Sequence, residues 1–361
     1  MTTRPGISTI QTKVEHKQPI STAEAKWLFE QATDLQLQQL AQLRKEQHHP
    51  AKSATYLIMG IINYTNICVA GCDYCSFYKY PHQDGTYLLS FAQLRERVDK
   101  LQNLGASMIA FNGGFHPQLD IYHYAKLFRQ VHQSYPELQF YDMTIAEFMF
   151  ACKRAQVSYP QGAQLLKDAG VEWIPGGGAE ILAESFRTRH SPGKYTVEDY
   201  TQAQREVLDS GLHSTATMVI GFDETLEERL IHLEQLRDFQ DQQTSKLASF
   251  LCWTYKPYHN QLGGQELSSN SYLRWLAICR IYLHNFQHIR TSVLTKNEDA
   301  LQGLLYGAND FDLPLEDEVT EKAGATISHD LEALLNTARQ LGYQPIHRDP
   351  FKAQPPASPR P

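Results

Sequence analysis

Cys68, Cys72 and Cys75 stand at C-x3-C-x2-C spacing within Asn66–Tyr78, directly after the apolar run Tyr56–Ile62. Thiolates are soft ligands that select iron–sulfur clusters, zinc or copper(I). Three closely spaced thiolates can hold three corners of a four-iron cluster and leave the fourth iron free for a small molecule. A structural site is normally closed by four protein ligands. The competing readings are a zinc knuckle or a chance cluster. Zinc would want a fourth ligand nearby, and the nearest candidate, His82, lies seven residues past Cys75. The remaining cysteines, Cys152, Cys252 and Cys279, are scattered and read as small buried apolar residues.

Other stretches carry weaker signals. Gly113–Gly114 lacks side chains and lets backbone approach a ligand closely; alone, it reads equally as a strand-to-helix turn. Gly176–Gly177–Gly178 makes a permissive backbone, and Glu180 two residues on can accept from ribose or ammonium donors. No G-K-[ST] follows, which argues against a phosphate loop. Gly221 and Glu224 close the run Thr217–Glu224. Glu224 is either a ligand contact or an ordinary first-turn acid of the next helix.

The elements that must position these residues alternate. Short apolar runs near 56–62, 106–112, 138–144, 171–175, 213–220 and 247–255, with a further one at 288–294, are separated by helical patterns. These patterns lie at 90–104, 121–134, 159–169, 196–210 and 224–239, then 271–287, 298–306 and 328–341. Such alternation predicts an α/β parallel sheet or barrel. In a barrel, functional groups collect at the C-terminal ends of strands. The cysteine loop, Gly113–Gly114, Glu180, Gly221–Glu224 and Trp253–Pro257 all follow predicted strands, so they fall on one face. Ser90 and Thr196 are N-cap residues, and Gly105, Gly170 and Gly211 mark helix ends. Residues 1–20 read as an extended arm, and 22–47 as one or two helices opened by a Ser21–Glu24 capping box. A short strand can be hidden near 184–195.

Composition narrows the setting. Hydrophobic content of 42% and charged content of 20% are globular values. No apolar run approaches the ~20 residues of a membrane span, and Met1–Pro5 lacks the apolar core of a signal peptide. Net charge is −7 without a long basic block, which gives nucleic-acid binding little support. The expectation is a cytoplasmic protein with no membrane or nucleic-acid partner.

The cysteine spacing, with aromatic Tyr74 before the third cysteine, resembles the signature of radical S-adenosylmethionine enzymes. Further stretches resemble one branch of that superfamily: Asn63–Asn66, Ser76–Tyr78, Ile174–Ile181, Ala216–Met218, Trp253–Pro257 and Gly307–Phe311. That branch holds cyclic dehypoxanthinyl futalosine synthase, aminofutalosine synthase and F0 synthase. The resemblance covers about residues 55–350. Trp253 with its aromatic-x-Pro, and Tyr272–Leu273–Arg274, look most like the first of these. The resemblance implies a TIM-like (β/α) barrel, with an N-terminal arm and helices (1–54), a core (55–262), a C-terminal extension completing barrel and pocket (263–348) and a loose tail (349–361). It implies a [4Fe-4S] cluster on Cys68, Cys72 and Cys75, and S-adenosyl-L-methionine. Gly113 and Gly114 would meet the methionine part, with Tyr74, Glu180, Gly221 and Glu224 as further cofactor contacts. It also implies a nucleoside-like substrate, an external one-electron reductant such as flavodoxin or ferredoxin, and a role in menaquinone biosynthesis. Base candidates are Asp223, Asp310 and Glu318, and the sequence does not choose among them.

The chain departs from the branch at four places. The family's Tyr-Gly-His is Ile220–Gly221–Phe222, and its Ser-Pro-Pro-Glu-Ile-like stretch is Thr144–Phe148. Its Ser-Trp-Val-Thr is Ser292–Val293–Leu294–Thr295, and the acidic run after Phe311 is loosened to Asp312–Val319. These departures are expected on the pocket face. They leave cofactor chemistry intact and bear on substrate identity.

Overall fold

The computed structural model describes residues 6–348; the tail 349–361, expected to be loose, lies outside them. Among the described residues eight strands run β1 (Ser53–Asn63), β2 (Met108–Asn112), β3 (Gln139–Tyr141), β4 (Ala216–Ile220), β5 (Ser249–Thr254), β6 (His288–Thr291), β7 (Asp310–Glu316) and β8 (Gln344–His347). They form one sheet in the order β3-β2-β1-β7-β6-β5-β4, with β8 also paired to β1. Every pairing is parallel. The result is an α/β half-barrel. Its open side, between β3 and β4, is spanned by residues near Trp173, whose pairing with His213 is a single bridge.

Alternation along β1 sets the two layers. Leu57, Met59 and Ile61 point inward and pack with Met108, Ala110 and Tyr141. Ala54 and Ile62 face the larger core under the helices. Gly60 is a close approach: a Cβ there would sit 2.4 Å from Leu101 Cδ1 on the helix Phe91–Asn103. Ser90 and Thr196 cap their helices as expected, and Gly105, Gly170 and Gly211 all have positive φ.

Several expectations need correction. Residues Ile7–Glu15 are a helix rather than an extended arm, with Ile10 and Val14 buried. Residues 22–47, by contrast, form two helices as expected, Thr22–Gln31 and Asp34–Glu46, and the Ser21–Glu24 capping box opens the first. The stretch 171–175 is no regular strand, 184–195 hides the helix Glu184–His190, and 298–306 is mostly a 3-10 helix, Asn297–Leu304. Strand β7 was not anticipated because Asp310, Asp312 and Pro314 interrupt its apolar text. Phe311, Leu313 and Leu315 form its core face, while Asp312 and Pro314 face a cavity. Among the described residues no helix is long and apolar enough to cross a membrane.

Three histidines gather where β1 and β6 begin. The Nε2 atoms of His48 and His49 lie 2.9 and 2.8 Å from the carbonyls of His284 and Gln287, and the His49 ring packs 4.7 Å from that of His288. Burial first, and cationic neighbours second, lower His48 and His49 to about 4. Burial likewise takes His288 to about 4. The unfolded chain binds protons near the ordinary value of about 6.5, before the folded chain does. The stability these neutral imidazoles contribute is therefore complete above about pH 6.5 and is lost as pH falls toward 4. Urea midpoints should fall across that window, and His49→Gln with His288→Gln should flatten the decline.

Candidate active site

A cavity of about 390 Å³ opens at the C-terminal ends of the strands and runs down into the half-barrel. The cysteine loop forms part of its wall: Cys68, Cys72, Tyr74 and Cys75 all line it. Burial pushes the Cys75 thiol up to about 11 and raises Cys68 as well, so metal binding must displace their protons. The loop is tied down from outside. His190 lies 2.9 Å from Asp73 Oδ2 and 2.7 Å from Asp223 Oδ1, joining the cysteine loop to the turn after β4. Gln261 and Leu262 donate backbone N–H groups to the Asp73 carbonyl, each at 2.9 Å.

Gly113 and Gly114 line the same cavity, packed directly against the cysteine loop. The Cβ that Gly114 lacks would sit 2.6 Å from Cys68 Cβ and 2.9 Å from the Ile67 carbonyl oxygen. The next residue, Phe115, donates its N–H to Cys68 Sγ at 3.3 Å. Gly114 is thus needed by the cysteine loop itself. Glu147 fixes the turn from behind. Its Oε1 accepts from the Gly113 N–H at 2.8 Å and from the Tyr64 hydroxyl at 2.5 Å. Its Oε2 closes a capping box with Thr144. The Thr144-x-x-Glu147 spacing was the readable signal for this residue; its reach to Gly113 was not.

Glu180 lines the cavity beside Lys194. The Lys194 ammonium donates to both Glu180 oxygens, at 3.2 and 3.1 Å, and to the Tyr74 hydroxyl at 3.2 Å. Burial works against that charge, yet Cys72, Glu180 and Tyr74 hold it well above its ordinary pKa. Arg187 supports the glycine loop by donating to the Ala179 and Tyr195 carbonyls. No local pattern flags Lys194, since its role arises only when the chain after the helix Glu184–His190 returns to the cysteines.

The other expected residues fall differently. Gly221 and Glu224 are not part of the cavity wall. Glu224 accepts from the Gly221 N–H at 2.8 Å and pairs with Arg229 at 2.6 Å, which makes it a brace for the turn. Asp223 is half-exposed and pairs with Arg189 and His190. Glu318 accepts from Tyr87 at 3.1 Å and pairs with Lys322 at 2.8 Å. Asp310 sits at the start of β7, held by Arg290, Arg348 and Thr55. None of these three acids lines the cavity; Glu147, Glu180, Asp312 and Asp317 do. Burial pushes Asp317 up to about 6. Of the departures from the branch pattern, Thr144, Phe222, Ser292–Thr295 and Asp312 face the cavity, whereas Ile145 is fully buried in the core.

Among the described residues no three His, Cys, Asp or Glu side chains form a group that could hold a single metal ion. A four-iron cluster makes a different demand, because each thiolate binds its own iron. Three thiols on one loop, walling a cavity beside a glycine turn, suit that demand. A family profile for the radical SAM superfamily matches residues 62–236, and one for the CofH/MqnC C-terminal region matches residues 245–355. The chain is 33% identical over 304 residues to the cyclic dehypoxanthine futalosine synthase of Halalkalibacterium halodurans, covering 83% of this chain and 82% of that protein. The chain belongs to the radical S-adenosylmethionine superfamily. This radical SAM protein is also 32% identical over 356 residues to the aminodeoxyfutalosine synthase of Thermus thermophilus, covering 96% and 95% of the two chains. Its fold matches the crystal structure of methylornithine synthase with a TM-score of 0.71 at 15% identity, covering 94% and 97%. Membership of the radical SAM superfamily implies a [4Fe-4S] cluster and S-adenosylmethionine, and the donors present fit both.

Proposed function

We propose that this radical SAM enzyme cyclises dehypoxanthinyl futalosine, with the cluster on Cys68, Cys72 and Cys75. The observation that carries the reading is one cavity running from the cysteine loop past Trp253 and Tyr255 to a polar floor at Arg290 and Asp312. Asp312 pairs in register with Leu57. Leu57 is six residues below Asn63, the end of β1 from which the cysteine loop departs, or ~20 Å along the strand at ~3.3 Å per residue. That length suits a cofactor and a ribosyl aryl substrate placed end to end.

Cys68, Cys72 and Cys75 would hold the cluster, which would supply the electron for homolytic cleavage of S-adenosylmethionine, and hydrogen would pass from the substrate to the cofactor's 5′-carbon. The chain's own residues orient the partners. The backbone of Gly113–Gly114, fixed by Glu147, meets the methionine end, and Glu180 with Lys194 offers an acceptor and a donor beside it. Trp253 and Tyr255 give flat surface for an aromatic ring. Ring closure, with the ring's aromaticity restored, releases an electron to the external carrier and a proton. The acceptor of the proton belongs among the carboxylates facing the cavity rather than Asp223, Asp310 or Glu318. An external carrier such as flavodoxin or ferredoxin supplies the electron that starts the reaction and takes back the one that ring closure releases, in a reducing cytoplasm that keeps the six cysteines out of disulfides.

The test is anaerobic incubation with reductant, cofactor and dehypoxanthinyl futalosine deuterated on the ribose. Deuterium should appear in 5′-deoxyadenosine, and cofactor cleavage should accelerate over the substrate-free rate. Misplacement of ~1 Å can cost ~100-fold in such a step, so a wrong substrate should give neither. Absence of both effects removes this substrate. The Thermus thermophilus relative, aligned over 96% of the chain, supports a second reading, and aminodeoxyfutalosine as the product would select it.

A further inference from the structure

At the floor of the cavity a buried ion pair stands beside apolar side chains. Leu57, Met59, Tyr141 and Leu294 belong to the packed cluster there, and Met59, Tyr141, Leu294, Arg290 and Asp312 line the cavity. Arg290 is 2% exposed. Its Nη2 donates to Asp312. Its Nε lies 3.2 Å from Asp310 Oδ1 but makes no hydrogen bond. Asp310 is served from behind: Arg348 Nη2 donates to its Oδ1 at 3.3 Å and Thr55 donates to it as well, while Arg348 Nε, 3.1 Å from its Oδ2, like Arg290 Nε makes no hydrogen bond.

An ion pair taken out of water gains little unless its remaining donors and acceptors are also used, and an apolar replacement is often no less stable. This pair leaves an Arg290 N–H without an acceptor. It also breaks up the apolar text of β7, where Asp312 opens one of the four stretches that depart from the branch pattern. Stability does not explain it; recognition does. We propose that Arg290 and Asp312 form the specificity site of the cavity and take the carboxyl group at the far end of an aryl carboxylate substrate. This rests on the substrate reading above, in which the ribose carbon that loses hydrogen lies at the cysteine end and the benzoate points to the floor.

A guanidinium presents planar paired donors that match a carboxylate. Charge decides the rest. Arg290 and Arg348 already cancel Asp310 and Asp312, so an incoming carboxylate adds an uncompensated charge unless a proton comes with it. The groups facing Asp312 are Arg290 from β6, Asp310 on its own strand and Arg348 beyond β8; Tyr141 of β3 lies beside Arg290. Burial raises the Asp312 carboxyl, Arg290 lowers it and Asp310 raises it, and the balance lies above its ordinary value. Two carboxyl groups in one site share one proton, so binding should draw in about one proton and weaken as pH rises.

The test uses the cluster-loaded protein with 3-acetylbenzoate and 3-acetylbenzamide as probes. Calorimetry is run in buffers of different ionisation enthalpy between about pH 6 and pH 8. The benzoate should bind with uptake of about one proton, and the benzamide with none. Arg290→Gln should weaken the benzoate by at least about tenfold and leave the benzamide nearly unchanged. Asp312→Asn keeps the shape and the Arg290 charge, so it should retain benzoate binding, abolish proton uptake and flatten the pH profile. It therefore decides the matter even if Arg290→Gln fails to fold. A wild-type protein that ignores the benzoate, an Arg290→Gln protein that binds it normally, or an Asp312→Asn protein that still takes up the proton each overturns the site. Turnover of dehypoxanthinyl futalosine with Arg290-independent benzoate binding keeps the substrate reading and removes this site. Arg290-dependent benzoate binding without that turnover does the reverse.

Discussion

Replacing Cys68, Cys72 or Cys75 with Ala should abolish the iron–sulfur absorbance of the reconstituted protein and reduce cofactor cleavage to background. Each thiolate would hold a separate iron, and the cavity wall offers no fourth cysteine to take over. The other three are placed as packing residues. Cys152 lies against Gly162, where an added Cβ would come within 2.3 Å of its sulfur. Cys252 on β5 and Cys279 in the helix Ser269–Tyr282 are fully buried. Cys→Ala at these three should leave iron content unchanged and cost only packing stability, on the order of 1 kcal/mol for a small cavity. Iron analysis and 5′-deoxyadenosine formation under anaerobic conditions read out all six variants. Loss of iron from Cys279→Ala would sink the three-ligand assignment and favour a closed electron-transfer cluster.

What the sequence made legible followed local physics. The cysteine loop reads directly, because ligands held on one turn must be close in sequence. The strands with unbroken apolar text, β1, β2, β4 and β5, read from burial on both faces. Strand β7 did not, because its inward residues serve the cavity rather than the core. The same fact misdirected the search for a base: Asp310 stood out beside Asn309, yet the inward residue exposed to the cavity is Asp312, two positions on. Glu224 carried the right type at the right place, but Arg229, five residues on in the next helix, claims it. Lys194 and Glu147 act through contacts that only the folded chain creates. Lys194 crosses to Tyr74, and Glu147 to Gly113. Periodicity cannot announce such long-range pairs.

Gly114→Ala should cost iron and cofactor together. From sequence, the glycine turn reads as room for a ligand, which would make its loss a cofactor-binding defect alone. The geometry says otherwise. An added Cβ at Gly114 meets Cys68 Cβ at 2.6 Å, the Ile67 carbonyl oxygen at 2.9 Å and Cys68 Sγ at 3.2 Å. Gly114 does not have positive φ, so the penalty comes from collision rather than backbone strain. The collision cannot be relieved by turning a side chain, since Ile67 meets the new atom with its backbone. Either the cysteine loop or the turn after β2 must move, and the bond from the Phe115 N–H to Cys68 Sγ ties one to the other. Overpacking of this kind costs ~1–3 kcal/mol, or roughly 5- to 100-fold on the equilibrium that absorbs it. Iron loading should absorb much of it, because the atom displaced is the β-carbon of a cluster ligand. Gly113→Ala is the informative neighbour. Its new Cβ meets the buried Tyr64 ring at 2.4 Å, away from the cysteines, so it should disturb the Tyr64–Glu147 brace and weaken S-adenosylmethionine while iron is retained. Iron per chain after reconstitution, cofactor affinity by equilibrium dialysis and a thermal melt separate the two variants. Full iron with weakened cofactor in Gly114→Ala would return this glycine to the ligand side of the cavity, and wild-type values for both would mean that the turn stands farther from Cys68 than the geometry places it.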